Sequence, residues 1–144
     1  MSRWRRERGF TLIELMVVIL VIGILAALVA PSIFGHVSTA KEQAARAQIE
    51  LLGAALDSYR LDNGSYPTTA QGLGALRREP ESGPRPPNWR GPYLRKEIPR
   101  DPWGQPYVYR SPGQANPWSY DLLTRGKDGQ PGGTGEDADI TSWQ

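Results

Sequence analysis

The chain has no cysteine in 144 residues. That excludes a disulfide framework, thiolate metal sites and thiol nucleophiles. A small domain without disulfides has to be held by its core, by a metal or by its neighbours. Histidine occurs once, at His36, with no metal-spaced partner, so a surface role is expected for it. No nucleophile elbow, phosphate loop or carboxylate pair in an evident cleft can be read from the sequence. It therefore reads as a non-enzyme. An excess of positive charge is lacking beyond the first nine residues. The formal net charge is +2, but Arg3, Arg5, Arg6 and Arg8 against Glu7 place three positive units there, which leaves the remainder one unit negative. Nucleic-acid binding through net charge is excluded on that count.

What is present is length for one small domain plus an anchor. From Phe10 to Ala30 there is one ionisable residue, Glu14. A run of about 20 apolar residues can cross a bilayer as a helix. A carboxylate at bilayer depth costs roughly 2–4 kcal/mol, so such groups usually have a partner. The local sequence offers none, which points to another molecule. Three readings of the basic leader and apolar run compete. A cleaved secretory signal would have an h-region of only about 7–15 residues. A plain anchor explains the length but not Glu14. The third reading is a specific leader: Arg8-Gly9-Phe10-Thr11-Leu12-Ile13-Glu14 resembles the N-terminus of type IV pilins and pseudopilins. The resemblance implies cutting between Gly9 and Phe10 by a prepilin peptidase, and methylation of Phe10. It implies that Glu14 pairs with the Phe10 ammonium of a neighbouring subunit, in a polymer built through Phe10, Glu14 and the helix up to Pro31. The leader arginines place the leader in the cytoplasm and the rest across the membrane.

Pro31 removes a helical hydrogen bond and predicts a kink rather than an end, because the helical pattern resumes at once. Ile33, Val37, Ala40, Ala44, Ala47, Leu51, Ala55 and Tyr59 recur at spacings of three and four, predicting a helix to about Leu61. This stripe is expected to pack on its own domain after Ala47 and on other subunits before it. Asp62-Asn63-Gly64-Ser65 ends the helix with turn residues. Thr68 or Thr69 then caps a short helix carrying Leu73 and Leu76 inward. Residues 80–92 form a proline-rich excursion, an irregular loop with a polyproline ligand as the alternative. Tyr107-Val108-Tyr109 and residues 118–123 read as short antiparallel strands on the long helix. Trp103, Tyr107, Tyr109, Trp118 and Tyr120 are expected to form a small core, with a sugar-binding aromatic site as the alternative. Residues 126–140 put Asp128, Glu136, Asp137 and Asp139 on a glycine-rich loop. Hard cations take six to eight oxygens in tolerant geometry. EF-hand spacing is absent, and the residues alone favour a solvated acidic loop.

Leu61 to Leu73, Asp101-Pro102-Trp103-Gly104-Gln105-Pro106-Tyr107, Gly126-Lys127-Asp128-Gly129 and Asp137-Ala138-Asp139-Ile140 resemble the major pseudopilins of the type II secretion system. Adhesive type IV pilins, the alternative, usually carry a cysteine pair near the C-terminus. The resemblance implies an α+β, type IV pilin-like fold: a long N-terminal helix, transmembrane in its first half, packed on a small antiparallel β-meander with a calcium-binding C-terminal loop. It implies a leader over 1–9, a transmembrane and polymerisation helix over 10–31, and a periplasmic domain over 32–144. Within that domain the loop and strand region covers 62–124 and the acidic loop 125–144. Calcium would be held by the side chains of Asp128 and Asp139, with Asp137 as a further choice, and by main-chain oxygens of Arg125 and Ala138. Asp57 and Arg95 match positions of inter-subunit ion pairs; solvated surface charges are the alternative. The implied partners are further copies in a homopolymer, the prepilin peptidase, minor pseudopilins, and the inner-membrane assembly platform with its ATPase. The implied place is the inner membrane, crossed once, with the filament driving export of folded proteins.

Overall fold

The computed structural model describes residues 9–144, and the side chains of all of these except 31–34. The leader arginines and Glu7 lie outside the described residues. One helix, α1, spans Leu12–Asn63. Three short strands follow: β1 (Val108–Arg110), β2 (Asp121–Thr124) and β3 (Ile140–Thr141), in an antiparallel sheet of order β1-β2-β3. The chain divides into two compact units, residues up to Val37 and Ser38–Gln144.

In the first unit the large apolar side chains described, from Leu12 to Val29, are exposed. An 18-residue window of α1 has mean hydropathy 3.1, and none of it is buried. By length and composition this segment can cross a membrane. The helix does not end at Pro31, where backbone geometry stays helical; the Pro31 side chain lies outside the described residues.

In the second unit, α1 buries Ala45, Ile49, Leu52, Leu56 and Tyr59, at steps of four, three, four and three. Leu52 and Leu56 are fully buried, as are Leu76 and Leu122 opposite them in the core. Each such leucine contributes about 1.5–3 kcal/mol by leaving water. The expected stripe is corrected here. Ala55 and Tyr59 do pack inward, but Leu51 is 60% exposed, and Ala47 and Ala44 also face solvent. The steps from Leu51 to Ala55 and on to Tyr59 are both of four residues. Each rotates the stripe by about 40°, so the sequence pattern slid from one helix face to another.

Asn63 stops the helix, and the Gly64 N–H closes on the Arg60 carbonyl at 2.7 Å. Asn63 also reaches back to the Tyr59 carbonyl at 2.9 Å and accepts from the Asn88 N–H at 3.1 Å. Thr68 and Gln71 then cap each other: the Gln71 N–H donates to Thr68 Oγ1 at 3.2 Å, and the Thr68 N–H to Gln71 Oε1 at 3.0 Å. The 3₁₀ turn Leu73–Leu76 that follows starts at Gly72 without a side-chain cap, while Leu73 and Leu76 point inward as expected. Thr69 instead clamps the end of β1 through Ser111. The proline-rich excursion returns to the core through Trp89, whose Nε1–H donates to the Ala75 carbonyl at 2.9 Å, and through the Tyr93 N–H to Leu76 at 2.8 Å.

The motif Asp101-Pro102-Trp103-Gly104-Gln105 is a closed turn. Proline suits its second position and glycine its fourth. The Gly104 N–H returns to the Asp101 carbonyl at 2.9 Å. The buried Asp101 carboxylate accepts from the N–H groups of Trp103 (3.0 Å) and Gln105 (2.7 Å), and from the Thr124 hydroxyl on β2. The second strand is shorter than expected, beginning at Asp121. Residues before it turn around that carboxylate, which accepts from the N–H groups of Gln114, Ala115 and Asn116. Tyr107 is buried, but Trp118 is 94% exposed and leaves the expected aromatic core. Tyr120 lies edge-on to Tyr66. Burial, then the Asp57 carboxylate, pushes its hydroxyl up to about 12, so it stays neutral at physiological pH.

Candidate functional site

Two ends of the chain carry the residues singled out above. At the N-terminal end, Thr11 and Glu14 form a reciprocal cap on the first turn of α1. The Glu14 N–H donates to Thr11 Oγ1 at 3.3 Å, and the Thr11 N–H to Glu14 Oε2 at 3.4 Å. A threonine followed three residues later by glutamate is the sequence signature of this box. It corrects the expectation that Glu14 has no local partner. The cap satisfies two backbone donors but brings no positive charge, and the residues from Phe10 through Met16 remain exposed. Gly9 and Phe10 lie just before the helix, in irregular backbone. A backbone of that kind is open to a protease where a helix is not.

At the C-terminal end, residues 125–139 form a loop closed on itself between β2 and β3. Gly126 has φ 62°, and a Cβ there would stand 2.5 Å from the Glu136 carbonyl oxygen and 3.0 Å from that of Ala138. Gly133, at φ 84°, is packed as closely against the Asp137 backbone. Only glycine fits such an approach without strain. The Lys127 N–H bonds the Glu136 carbonyl at 2.8 Å, and the Asp139 N–H bonds Gly132 at 3.1 Å. Asp139 Oδ2 accepts from the Gly132 N–H at 3.1 Å, while its Oδ1 is buried with no hydrogen-bond partner. Asp128 is exposed, with Oδ1 on the Gln130 N–H at 3.0 Å. Asp137 sits in the 3₁₀ turn Gly135–Asp137.

A cation suits this loop in part. The orphaned Asp139 Oδ1 is an acceptor that lacks a donor, and buried polar atoms are normally satisfied. Carbonyl oxygens of 136 and 138 crowd the same glycine. Among the described residues, however, no group of three or more His, Cys, Asp or Glu side chains could hold a metal. Asp128, Asp137 and Asp139 do not converge as a three-carboxylate set. The donor set fits an ion held by one or two carboxylates with carbonyls completing the shell.

Asp57 and Arg95 are both exposed and not within ion-pair distance in one chain; the ion pairs among the described residues are Arg77–Glu97 and Lys127–Glu136. Asp57 accepts from the Tyr66 hydroxyl at 2.8 Å, over whose ring the Arg60 guanidinium sits at 5.0 Å. Sequence reasoning missed β3. Its signal was Ile140, an isolated β-branched apolar residue directly after the acidic loop.

A long helix with an apolar, uncovered first half and a small antiparallel meander over its second half defines a pilin-like subunit. The family model "Type II secretion system (T2SS), protein G" matches residues 32–143, and "Prokaryotic N-terminal methylation motif" matches 4–30. The chain is 48% identical to the type II secretion system core protein G of Pseudomonas aeruginosa over 139 residues, 96% of each chain. It is 48% identical to that of Vibrio cholerae over 144 residues, covering 99% of this chain and 96% of the relative. The crystal structure of the major pseudopilin from the type 2 secretion system of enterohaemorrhagic Escherichia coli aligns with TM-score 0.65 and 41% identity, over 76% of this chain and 92% of that one. The chain belongs to the type II secretion protein G family, the major pseudopilins. The adhesive type IV pilin alternative is not favoured.

Proposed function

We propose that this chain is the main structural subunit of a secretion pseudopilus. It enters the inner membrane once, with its second unit in the periplasm, is cut after Gly9 and is methylated on Phe10. It then polymerises with other copies into a filament that drives folded proteins out across the outer membrane. The prepilin peptidase, minor pseudopilins, and an assembly platform with its ATPase act on it; the chain itself catalyses nothing. One observation carries this reading: near-complete alignment with secretion core proteins, together with a methylation motif spanning the Gly9–Phe10 bond. Mass spectrometry of native material tests it. The mature chain should begin at methylated Phe10; a chain beginning at Met1 would refute the processing.

Calcium in the 125–139 loop is part of the same proposal, held by Asp139 and Asp128, with Asp137 and the carbonyls of Arg125 and Ala138 as further ligands. The orphaned Asp139 Oδ1 supports it. The ion would supply charge that offsets the clustered carboxylates and tie the loop to β3. Ligand at about 100 times its Kd adds about 2.7 kcal/mol. Chelation should therefore lower the Tm of Ser38–Gln144 by about 10–20 °C, at about 4–8 °C per kcal/mol. Asp139→Ala should abolish the response to chelator, and an unchanged parent Tm would remove the site.

Asp57 and Arg95, unpaired within one chain, are proposed to meet between copies. Asp57→Arg and Arg95→Asp should each impair secretion, and the two together should restore it. A double variant no better than the singles would leave both as solvated surface charges.

A further inference from the structure

Trp118 is the aromatic that the core leaves out, and at 94% it is the most exposed large apolar side chain among the described residues. One exposed apolar residue is ordinary in itself. This one stands on a fixed backbone beside a hollow. Asn116 to Ser119 make a tight turn with Pro117 at its second position, where proline is favoured. The Ser119 N–H closes that turn on the Asn116 carbonyl at 3.0 Å, and the Gly113 N–H bonds the Ser119 carbonyl at 3.1 Å. The Asp121 carboxylate holds the entry, accepting from the Asn116 N–H at 3.0 Å. The indole is therefore presented to solvent by a locked loop.

Trp118, Tyr66, Arg60, Ser65 and Ser119 line one cavity of about 310 Å³, within the size range of small-ligand sites. Neither serine hydroxyl is hydrogen-bonded among the described residues. Arg60 uses one of its several donors, on the Tyr66 hydroxyl at 3.3 Å. The Tyr66 ring is already engaged, by the Arg60 guanidinium at 5.0 Å and edge-on by Tyr120 at 4.8 Å. The cavity thus offers one free ring beside unused hydroxyls and guanidinium N–H groups. That set fits a sugar. The C–H groups on one side of a pyranose ring face the negative face of an indole. Its hydroxyls and an acetamido carbonyl meet short polar side chains and the guanidinium. A proline-rich peptide needs a groove lined by aromatics, and here one ring is free. A nucleic acid needs several cations, and Arg60 is the only one in the lining. We propose that this cavity binds a glycan, the β-linked N-acetylhexosamine strand of the cell wall, with Trp118 as the stacking platform. The choice of that glycan rests on the periplasmic placement proposed above. Binding at one site is weak, but copies repeated along a filament add up through effective concentration. The site steadies the growing filament against the wall it passes.

The test uses the full chain in an amine-oxide detergent, because sugar-headed detergents would compete. Isothermal titration with chitotetraose, the β-linked N-acetylglucosamine tetramer, should give a Kd of about 1 mM or tighter. Trp118→Ala should weaken binding about tenfold or more, with Tm unchanged because the ring is outside the core. Trp118→Phe should recover part of the affinity, and Arg60→Gln should bind more weakly than the parent. Purified cell-wall sacculi should pull parent filaments down at a speed that leaves filaments alone in solution, and should not pull down those of Trp118→Ala. No heat with chitotetraose at about ten times the expected Kd overturns the proposal. So does equal binding of maltotetraose, or parent-like binding by Trp118→Ala. Should Trp118→Ala lower the Tm, Arg60→Gln decides, and parent-like binding in it overturns the proposal. Saturation by decaproline and not by chitotetraose makes the cavity a peptide groove and also overturns it. Chitotetraose binding without capture by sacculi overturns the cell-wall assignment. Each of these results leaves the pseudopilus reading standing; that reading fails instead on a mature chain that begins at Met1.

Discussion

Glu14→Ala and Glu14→Gln should both abolish filaments while leaving the leader processed. The pair separates two roles. Glu14 accepts from the Thr11 N–H in the cap on α1. Glutamine serves the same cap position, because its side-chain oxygen can accept that bond. If the cap were the whole role, Gln would behave as the parent and Ala would lose about 0.5–2 kcal/mol of helix stability. The proposed role is different: the carboxylate meets the Phe10 ammonium of an adjacent copy. Removing one member of a buried ion pair leaves the other charge uncompensated, at about 3–5 kcal/mol. Repeated at each subunit, that stops growth, and Gln fails as Ala does. Shearing and pelleting of filaments, with mass spectrometry of the processed N-terminus, reads both. Gln variants that polymerise normally would reduce Glu14 to a helix cap.

Asp101→Ala should be the most destabilising single change in the second unit. Its carboxylate is 4% exposed and accepts from three donors, the N–H groups of Trp103 and Gln105 and the Thr124 hydroxyl. Thr124 is itself fully buried, and its Oγ1 accepts from the Gly126 N–H at 3.2 Å. One carboxylate therefore fixes the Asp-Pro-Trp-Gly turn, the end of β2 and, through Thr124, Gly126 in the acidic loop. Alanine leaves three donors without an acceptor, each at about 1–3 kcal/mol. A loss of about 3–5 kcal/mol is expected by denaturant unfolding. Asp101→Asn keeps a carbonyl oxygen toward the backbone and should lose less. Equal stability of Asp101→Ala and parent would show that the turn is held by backbone alone.

The helix, the meander and the loop order were legible because each is written in local chemistry: apolar period, turn residues, short β-rich runs. The leader was legible for the same reason, seven residues in a row. Three things were not. The role of Asp101 depends on Thr124, 23 residues away, and no local pattern joins them. β3 is two residues long, too short to show alternation, and exists because Thr124 and Leu123 offer it a register. The two faces of α1 interleave at nearly the same spacing, so a list of apolar residues cannot say which face is covered; only the folded domain does. In the acidic loop the composition was plain, but the orphaned Asp139 Oδ1 appears only once Gly126 and Gly133 have drawn the backbone in.

β3 lies far along the chain from α1, on the other side of the acidic loop from β2. Ile140 closes the core against β2. The second unit thus cannot finish its interior until the acidic loop has folded back, whereas the turns of α1 form between neighbours in sequence. A newly made subunit would spend that interval with its domain unsealed, so a change that slows the folding of the loop should harm assembly by delaying closure.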